Sequence, residues 1–193
     1  MRDVTLLGTR LVLGGYLSVH GAQKLFGAFG GPGLDKAGAG FERIGLTPGK
    51  PMAALAGATE LGGGLLTAAG VADPAGPLAI VGAMTVASVT HRASGPLAAN
   101  RGFELPLTNL AAAAALAATG PGRYRLSPPL SRRLTTVVAA GGALLLAGSL
   151  AKMLTAARDQ ASEAHPPTPQ ELTPDTARRA ASDANTEPGG PRP

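Results

Sequence analysis

Apolar residues gather along this chain into five long windows, 4–26, 52–71, 74–90, 105–119 and 134–153, separated by shorter segments richer in charge, Gly and Pro. Within them the apolar residues run on without the two-residue alternation of a membrane β-strand, so the pattern predicts helices. The first window is long enough to span a bilayer, although it carries Arg10, His20, Gln23 and Lys24. The second holds one ionisable residue, Glu60, and the fifth, with Val137-Val138 and Leu144-Leu145-Leu146, holds none before Lys152. The third and fourth fall short of the roughly 20 residues that a hydrocarbon core requires and must draw on their flanks. Interior Gly and Ala weaken a helix in water; in lipid they let backbones approach, and Gly14/Ser18 and Ala53/Gly57 have the small-xxx-small spacing of packed membrane helices. No small-x-small cleavage site follows the first window, which therefore reads as a span and not as a signal peptide. The expectation is an all-α integral membrane helical bundle with four core transmembrane helices over 1–126 and a fifth over 127–155.

Between the first two windows, Gly27, Gly30, Gly31, Pro32 and Gly33 form a turn. After it Leu34, Ala37, Phe41 and Ile44 recur at helical spacing, with Asp35, Lys36, Glu42 and Arg43 on other faces. That predicts a short amphipathic helix within 27–51, lying at the membrane interface. The glycine run is no nucleotide loop, because no strand precedes it and no Gly-Lys-Ser or Gly-Lys-Thr follows. Beyond residue 155 the composition shifts: seven of the 17 prolines fall between Pro166 and Pro193 among Ser, Thr, Asp and Glu, and 156–193 is expected to be a disordered tail.

Composition narrows the chemistry. The 193 residues include 28 glycines, only 15% charged and 3% aromatic residues, and no Cys or Trp. A soluble core built mainly from Ala and Gly would bury little apolar area per residue. Without cysteine the chain itself performs no thiol chemistry and holds no Cys-ligated metal, and three histidines argue against a metal-rich enzyme, so no metal site is expected. The net charge of +5 is unevenly spread: residues 1–155 hold 13 Lys and Arg against 6 Asp and Glu, and residues 156–193 hold 4 against 6. The basic residues lie between apolar runs without interleaved aromatics, which reads as juxtamembrane charge and not as a nucleic-acid footprint. Near the windows eight Lys and Arg fall at the end of the bundle holding Lys24 and five at the other, a bias that places the first end and the C-terminal tail in the cytoplasm.

Polar residues inside the apolar windows are the informative ones, since a charge at the centre of a span costs on the order of 3 kcal/mol. Successive spans alternate direction, so His20, Lys24, Glu60, His91 and Glu104 come to one side of the membrane. Glu60 shares a stripe with Ala56, Gly64 and Ala68 and should point into the bundle, while His20 and Lys24 share a face of the first helix. Arg10 lies about 15 Å deeper by helical rise, so the partners available to Glu60 are Arg10 from below and His20 or Lys24 from above. The six residues Arg10, His20, Lys24, Glu60, His91 and Glu104 are thus candidates for a quinone pocket or proton relay, with Glu60 and His20 as its chemical centre. The plainer alternative is that His91 and Glu104 are interfacial and that Arg10 and Glu60 form a structural pair only. Haem is disfavoured, because His20 and His91, its only candidate axial ligands in the spans, lie near the membrane face.

The stretches His20-Gly-Ala-Gln-Lys-Leu-Phe-Gly27 and Gly57-Ala-Thr-Glu-Leu-Gly-Gly-Gly64, with Gly30-Gly-Pro-Gly33, Gly45-Leu-Thr-Pro-Gly49, His91, Glu104-Leu-Pro-Leu107 and Gly120-Pro-Gly-Arg-Tyr124, resemble the DoxX family of bacterial inner-membrane proteins. The resemblance covers about residues 4–126 and implies a four-helix integral membrane protein. Relatives of the DoxD type are linked to thiosulfate:quinone oxidoreduction, and mycobacterial members to a membrane complex handling thiol and superoxide stress. It therefore implies a membrane component of a quinone-linked redox system, or a non-catalytic scaffold that docks a soluble oxidoreductase. The fifth window and the tail depart from the four-helix pattern, and the lack of cysteine leaves any sulfur chemistry to a partner, a substrate or a quinone.

Overall fold

The computed structural model describes residues 1–164, and over them the chain is helical: α1 (Arg2–Phe26), α2 (Gly33–Arg43), α3 (Gly49–Ala69), α4 (Ala75–His91), α5 (Glu104–Thr119) and α6 (Arg132–Ala164), with no strand among the described residues. Residues 1–156 form one compact unit. Of the tail expected over 156–193, the part to Ala164 is the end of α6 and the part from 165 lies outside the described residues.

Small residues set the architecture. On α1, Gly14 and Gly21 are seven apart, as are Gly57 and Gly64 on α3, and the two antiparallel helices meet glycine to glycine. A Cβ on Gly14 would stand 2.5 Å from the carbonyl oxygen of Gly64, and one on Gly21 would run into Leu61 and the carbonyl of Gly57. Only hydrogen at these positions lets the backbones come this close, so that dispersion and Cα–H contacts replace side-chain packing. Ser18 sits in the same seam, its hydroxyl bonded to the Gly14 carbonyl at 2.7 Å. From α3 the bundle continues to α4, where Gly63 faces Ala79 and Ile80. A core of Leu13, Leu17, Ile80, Met84, Ala113 and Leu116 then joins α1, α4 and α5 and closes a four-helix arrangement. The amphipathic helix expected within 27–51 is α2, with Ala37 and Gly38 buried and Asp35, Lys36, Glu42 and Arg43 outside or at the edge. Ile44 of the expected apolar stripe is exposed, and Leu46 takes the buried position.

Among the described helices, only α6 is long and apolar enough to cross a membrane by length and composition, over Arg132–Arg158 with a mean hydropathy of 1.8. The other four windows fall short for identifiable reasons. α4 and α5 have 17 and 16 residues. In α1 the charges of Arg10 and Lys24 and the polarity of His20 dilute an otherwise apolar run, and in α3 Glu60 lowers the hydropathy while the glycines that permit the close seam contribute almost none.

Candidate functional site

The end of α1 carries the first element of the site. Gly57 leaves a notch one turn before Glu60, into which Leu25 and the Cβ of Lys24 fit; a Cβ on Gly57 would meet Leu25 Cγ at 2.8 Å. The close approach delivers Lys24 Nζ to 2.5 Å from Glu60 Oε2, and Glu60 is buried at 6% exposure on the bundle side of α3. No other hydrogen bond reaches the Glu60 carboxylate or the Lys24 ammonium among the described residues. A carboxylate accepts at both oxygens and an ammonium donates three times, so each partner keeps hydrogen-bonding capacity after the pair has formed.

That capacity faces a cavity of about 620 Å³. Lys24, Glu60, Thr59, Thr90 and His91 are the polar residues at its bundle wall, and the remainder of that wall is apolar, from Met52 and Leu55 of α3 to Leu78 and Val86 of α4. The opposite wall is α6, through Val138, Ala139, Gly142, Ala143 and Leu146. Space exists here because α6 packs little against the bundle, none of its apolar window being buried, and small side chains of α4 (Ala79, Gly82, Ala83) widen the gap. The patterning of the sequence had α6 as a span only; the signal of its second role is this run of Ala and Gly, which packing alone would also use.

His91, the last residue of α4, belongs to the cavity rim. Its Nδ1 lies 2.8 Å from the carbonyl oxygen of Arg101, to which the ring N–H donates, leaving Nε2 as an acceptor in the neutral ring. His20 lies on α1 one turn before Lys24 and packs edge-to-face on Tyr16 with ring centroids 4.4 Å apart; it does not line the cavity. Glu104 is also outside it: its carboxylate accepts from the backbone N–H of Ala98 at 2.9 Å and closes the loop between α4 and α5.

Arg10 corrects the expectation most clearly. It does not pair with Glu60 but lies at the opposite end of the seam, 2% exposed, where its guanidinium donates to the carbonyl oxygens of Thr67 (2.9 Å), Ala68 (2.9 Å), Pro121 (2.5 Å) and Tyr124 (2.7 Å). The last carbonyls of α3 have no partner within their own helix and carry the negative end of its dipole, so a fixed cation satisfies them. Gly70, at φ 63°, both reverses the chain here and leaves room for the guanidinium, which a Cβ would meet at 2.5 Å. Sequence spacing gave Arg10 the right depth, but a single helical wheel could not show that backbone carbonyls would outcompete a carboxylate. Asp73, unremarked in the sequence, is buried in the adjoining turn between α3 and α4; burial raises its pKa above the ordinary 3.8, opposed by the charges of Arg10 and Arg125.

The family model DoxX matches residues 5–93. Over this segment, a little under half of the chain, it is similar to the DoxX family. DoxX is a family of membrane proteins. The matched segment runs from within the first turn of α1 through α4, and includes Lys24, Glu60, His91 and the carbonyl-bound Arg10. The cavity wall supplied by α6, the Arg10 contacts to Pro121 and Tyr124, and Glu104 lie beyond it. No curated protein and no solved structure matches the chain.

Proposed function

We propose that α1, α3, α4 and α5 cross the bacterial plasma membrane, that α6 is a fifth span, and that the end carrying Lys24 and Glu60 faces the cytoplasm. Support comes from large apolar side chains turned outward on helix after helix: Val12 on α1, Leu65 on α3, Leu107 on α5 and Leu144 on α6. Water would penalise such a surface and acyl chains would not.

Within this arrangement the cavity is a quinone site of a redox system acting on reduced sulfur or oxidative stress. The observation that carries the reading is the Lys24–Glu60 pair with unused hydrogen-bonding capacity at the edge of an apolar cavity. A bound quinone would supply the two-electron acceptor. Lys24 donates a hydrogen bond to a ring oxygen and stabilises negative charge that develops there. Glu60 and His91 are the proton-carrying groups of the rim, and His20, one turn from Lys24, connects them towards the membrane face. The apolar walls of α4 and α6 take the tail and exclude water. Electrons come from a reduced substrate or a partner, since a chain without cysteine has no thiol of its own.

The test is retention of quinone by the purified protein after reconstitution in quinone-containing liposomes, read by extraction and mass spectrometry. Glu60→Gln should lose most of the bound quinone while keeping its fold, and wild-type protein that retains none overturns the reading. The lack of cysteine also favours a second reading, a scaffold docking a soluble oxidoreductase. A soluble enzyme that copurifies in the absence of quinone, and is lost on deleting 156–193, would select it.

A further inference from the structure

The end of the bundle remote from the Lys24–Glu60 pair carries a cluster of arginines to which the proposed redox site gives no role. Arg123, Arg125, Arg132 and Arg133 fall within one short segment, and no Asp or Glu occurs between Glu104 and Asp159. The fold adds a fifth. Arg2, at the start of α1, donates to the carbonyl oxygen of Thr119 at the end of α5, directly before the segment.

Its backbone is held from several sides. Besides the two bonds from Arg10, Arg123 N donates to Asp3 Oδ1 (3.0 Å), Leu126 N to the Ala69 carbonyl (3.1 Å) and Leu130 N to the Asp73 carbonyl (2.7 Å). With the main chain bonded inward, the side chains of Arg123, Tyr124, Arg125, Leu126, Arg132 and Arg133 are all exposed. Asp3 and Asp73 are the carboxylates of this end, one bonded to a backbone N–H and the other buried. The ion pairs among the described residues are Lys24–Glu60 and Lys50–Asp35, so none of the five guanidinium groups has a carboxylate within salt-bridge distance there.

Five guanidinium groups at one end of the bundle outnumber its two carboxylates, Asp3 and Asp73, neither of which is within salt-bridge distance of them, so an external anion is the natural counter-charge for this surface. Their depth identifies it. The apolar run of α6 begins at Leu134, immediately after Arg132-Arg133, and Leu126, 81% exposed, stands beside Tyr124 on the same surface. Tyrosine and leucine adjoining arginines at the start of an apolar helix is the composition of the lipid headgroup region, where the planar guanidinium matches phosphate oxygens in pairs. We propose that Arg123, Arg125, Arg132 and Arg133, with Arg2, form a binding site for the phosphate of anionic phospholipid headgroups in the leaflet at this end of the bundle.

The experiment is native mass spectrometry of the detergent-solubilised full chain titrated with phosphatidylglycerol or phosphatidylcholine. Phosphatidylglycerol should bind and phosphatidylcholine should not. A charge near an anionic surface contributes about fivefold in affinity, so Arg132→Gln with Arg133→Gln should weaken phosphatidylglycerol binding about 25-fold. These two side chains make no hydrogen bond that holds the loop, so the double variant keeps its melting temperature, and Arg123→Gln with Arg125→Gln repeats the measurement. Lys36→Gln with Arg92→Gln, which removes the same charge from the opposite end, should leave binding unchanged. Equal uptake of the two lipids, unchanged binding in both arginine variants, or the same loss in the Lys36/Arg92 variant would overturn the proposal. Displacement by inorganic phosphate at the lipid's own concentration would overturn it too, by assigning the site to a soluble anion.

Discussion

Removing either partner of the Lys24–Glu60 pair should destabilise the protein more than removing both. The Glu60 side chain is 8% exposed and that of Lys24 24%. Breaking a buried pair from one side typically costs 3–5 kcal/mol, because the remaining charge has lost its counter-ion but not its burial. Lys24→Met, which leaves the more buried carboxylate alone, should approach about 3 kcal/mol. Glu60→Leu leaves a lysine that can turn its flexible stem towards the membrane face, so about 1–2 kcal/mol is expected. The double variant Lys24→Met/Glu60→Leu replaces both charges with apolar groups of similar volume and should lie within about 1 kcal/mol of wild type, giving a coupling of roughly 3 kcal/mol across the cycle. Because the chain has no tryptophan, thermal unfolding is best followed by far-ultraviolet circular dichroism in one detergent. Single-variant losses that simply add in the double variant would show that the two groups do not interact and would refute the site as described.

Two further perturbations probe the opposite end. Arg10→Gln removes most of the bonds to the carbonyls of Thr67, Ala68, Pro121 and Tyr124, and should cost about 3 kcal/mol or more and open the 121–124 segment to proteolysis; unchanged melting and cleavage would deny the clamp. Asp73 has a raised pKa in the folded state, so its contribution is fully present below the ordinary value of 3.8 and is lost as pH rises through the folded value. Asp73→Asn should therefore gain stability relative to wild type as pH is raised from about 3.5 to 7, measured by melting temperature across that range, and a gain that shrinks with pH would contradict the burial argument.

The elements were more legible in the sequence than their contacts. Helix α2 and the five apolar windows follow from periodicity and run length, because backbone hydrogen bonding in a helix depends on neighbours in the chain. The site was legible where the chain itself supplies the geometry: Lys24 and Glu60 each sit by a glycine notch, and alternation of direction brings α1's end to α3's start. Spacing offers Arg10 a carboxylate, whereas its partners are main-chain carbonyls, which every residue possesses and no pattern marks. The α6 wall was missed for a related reason. A cavity is a mismatch between two surfaces, and neither Ala79-Gly82-Ala83 nor Ala139-Gly142-Ala143 announces it alone.

Helix α1 thus bonds to α3 at both ends, through Arg10 at one and Lys24 at the other, and the glycine seam between them determines whether both bonds can form together. Neighbouring glycines separate this role from mere flexibility. A methyl on Gly14 would press against the Gly64 carbonyl and Ala68, backbone atoms that cannot rotate away, whereas a methyl on Gly15 meets nothing within 4 Å. Gly14→Ala should push the helices apart and cost about 1–3 kcal/mol, the range of an overpacked core. Gly15→Ala adds only a better helix former on an open face and should be neutral or stabilising by up to about 1 kcal/mol. Separation at Gly14 also lengthens the reach required of both Arg10 and Lys24. Gly14→Ala should therefore reduce the coupling measured in the Lys24/Glu60 cycle and raise proteolysis at 121–124, while Gly15→Ala changes neither. If the two alanine variants behave alike, or if the Gly14 variant loses stability with the coupling and the loop untouched, the seam does not set the register of the two ends.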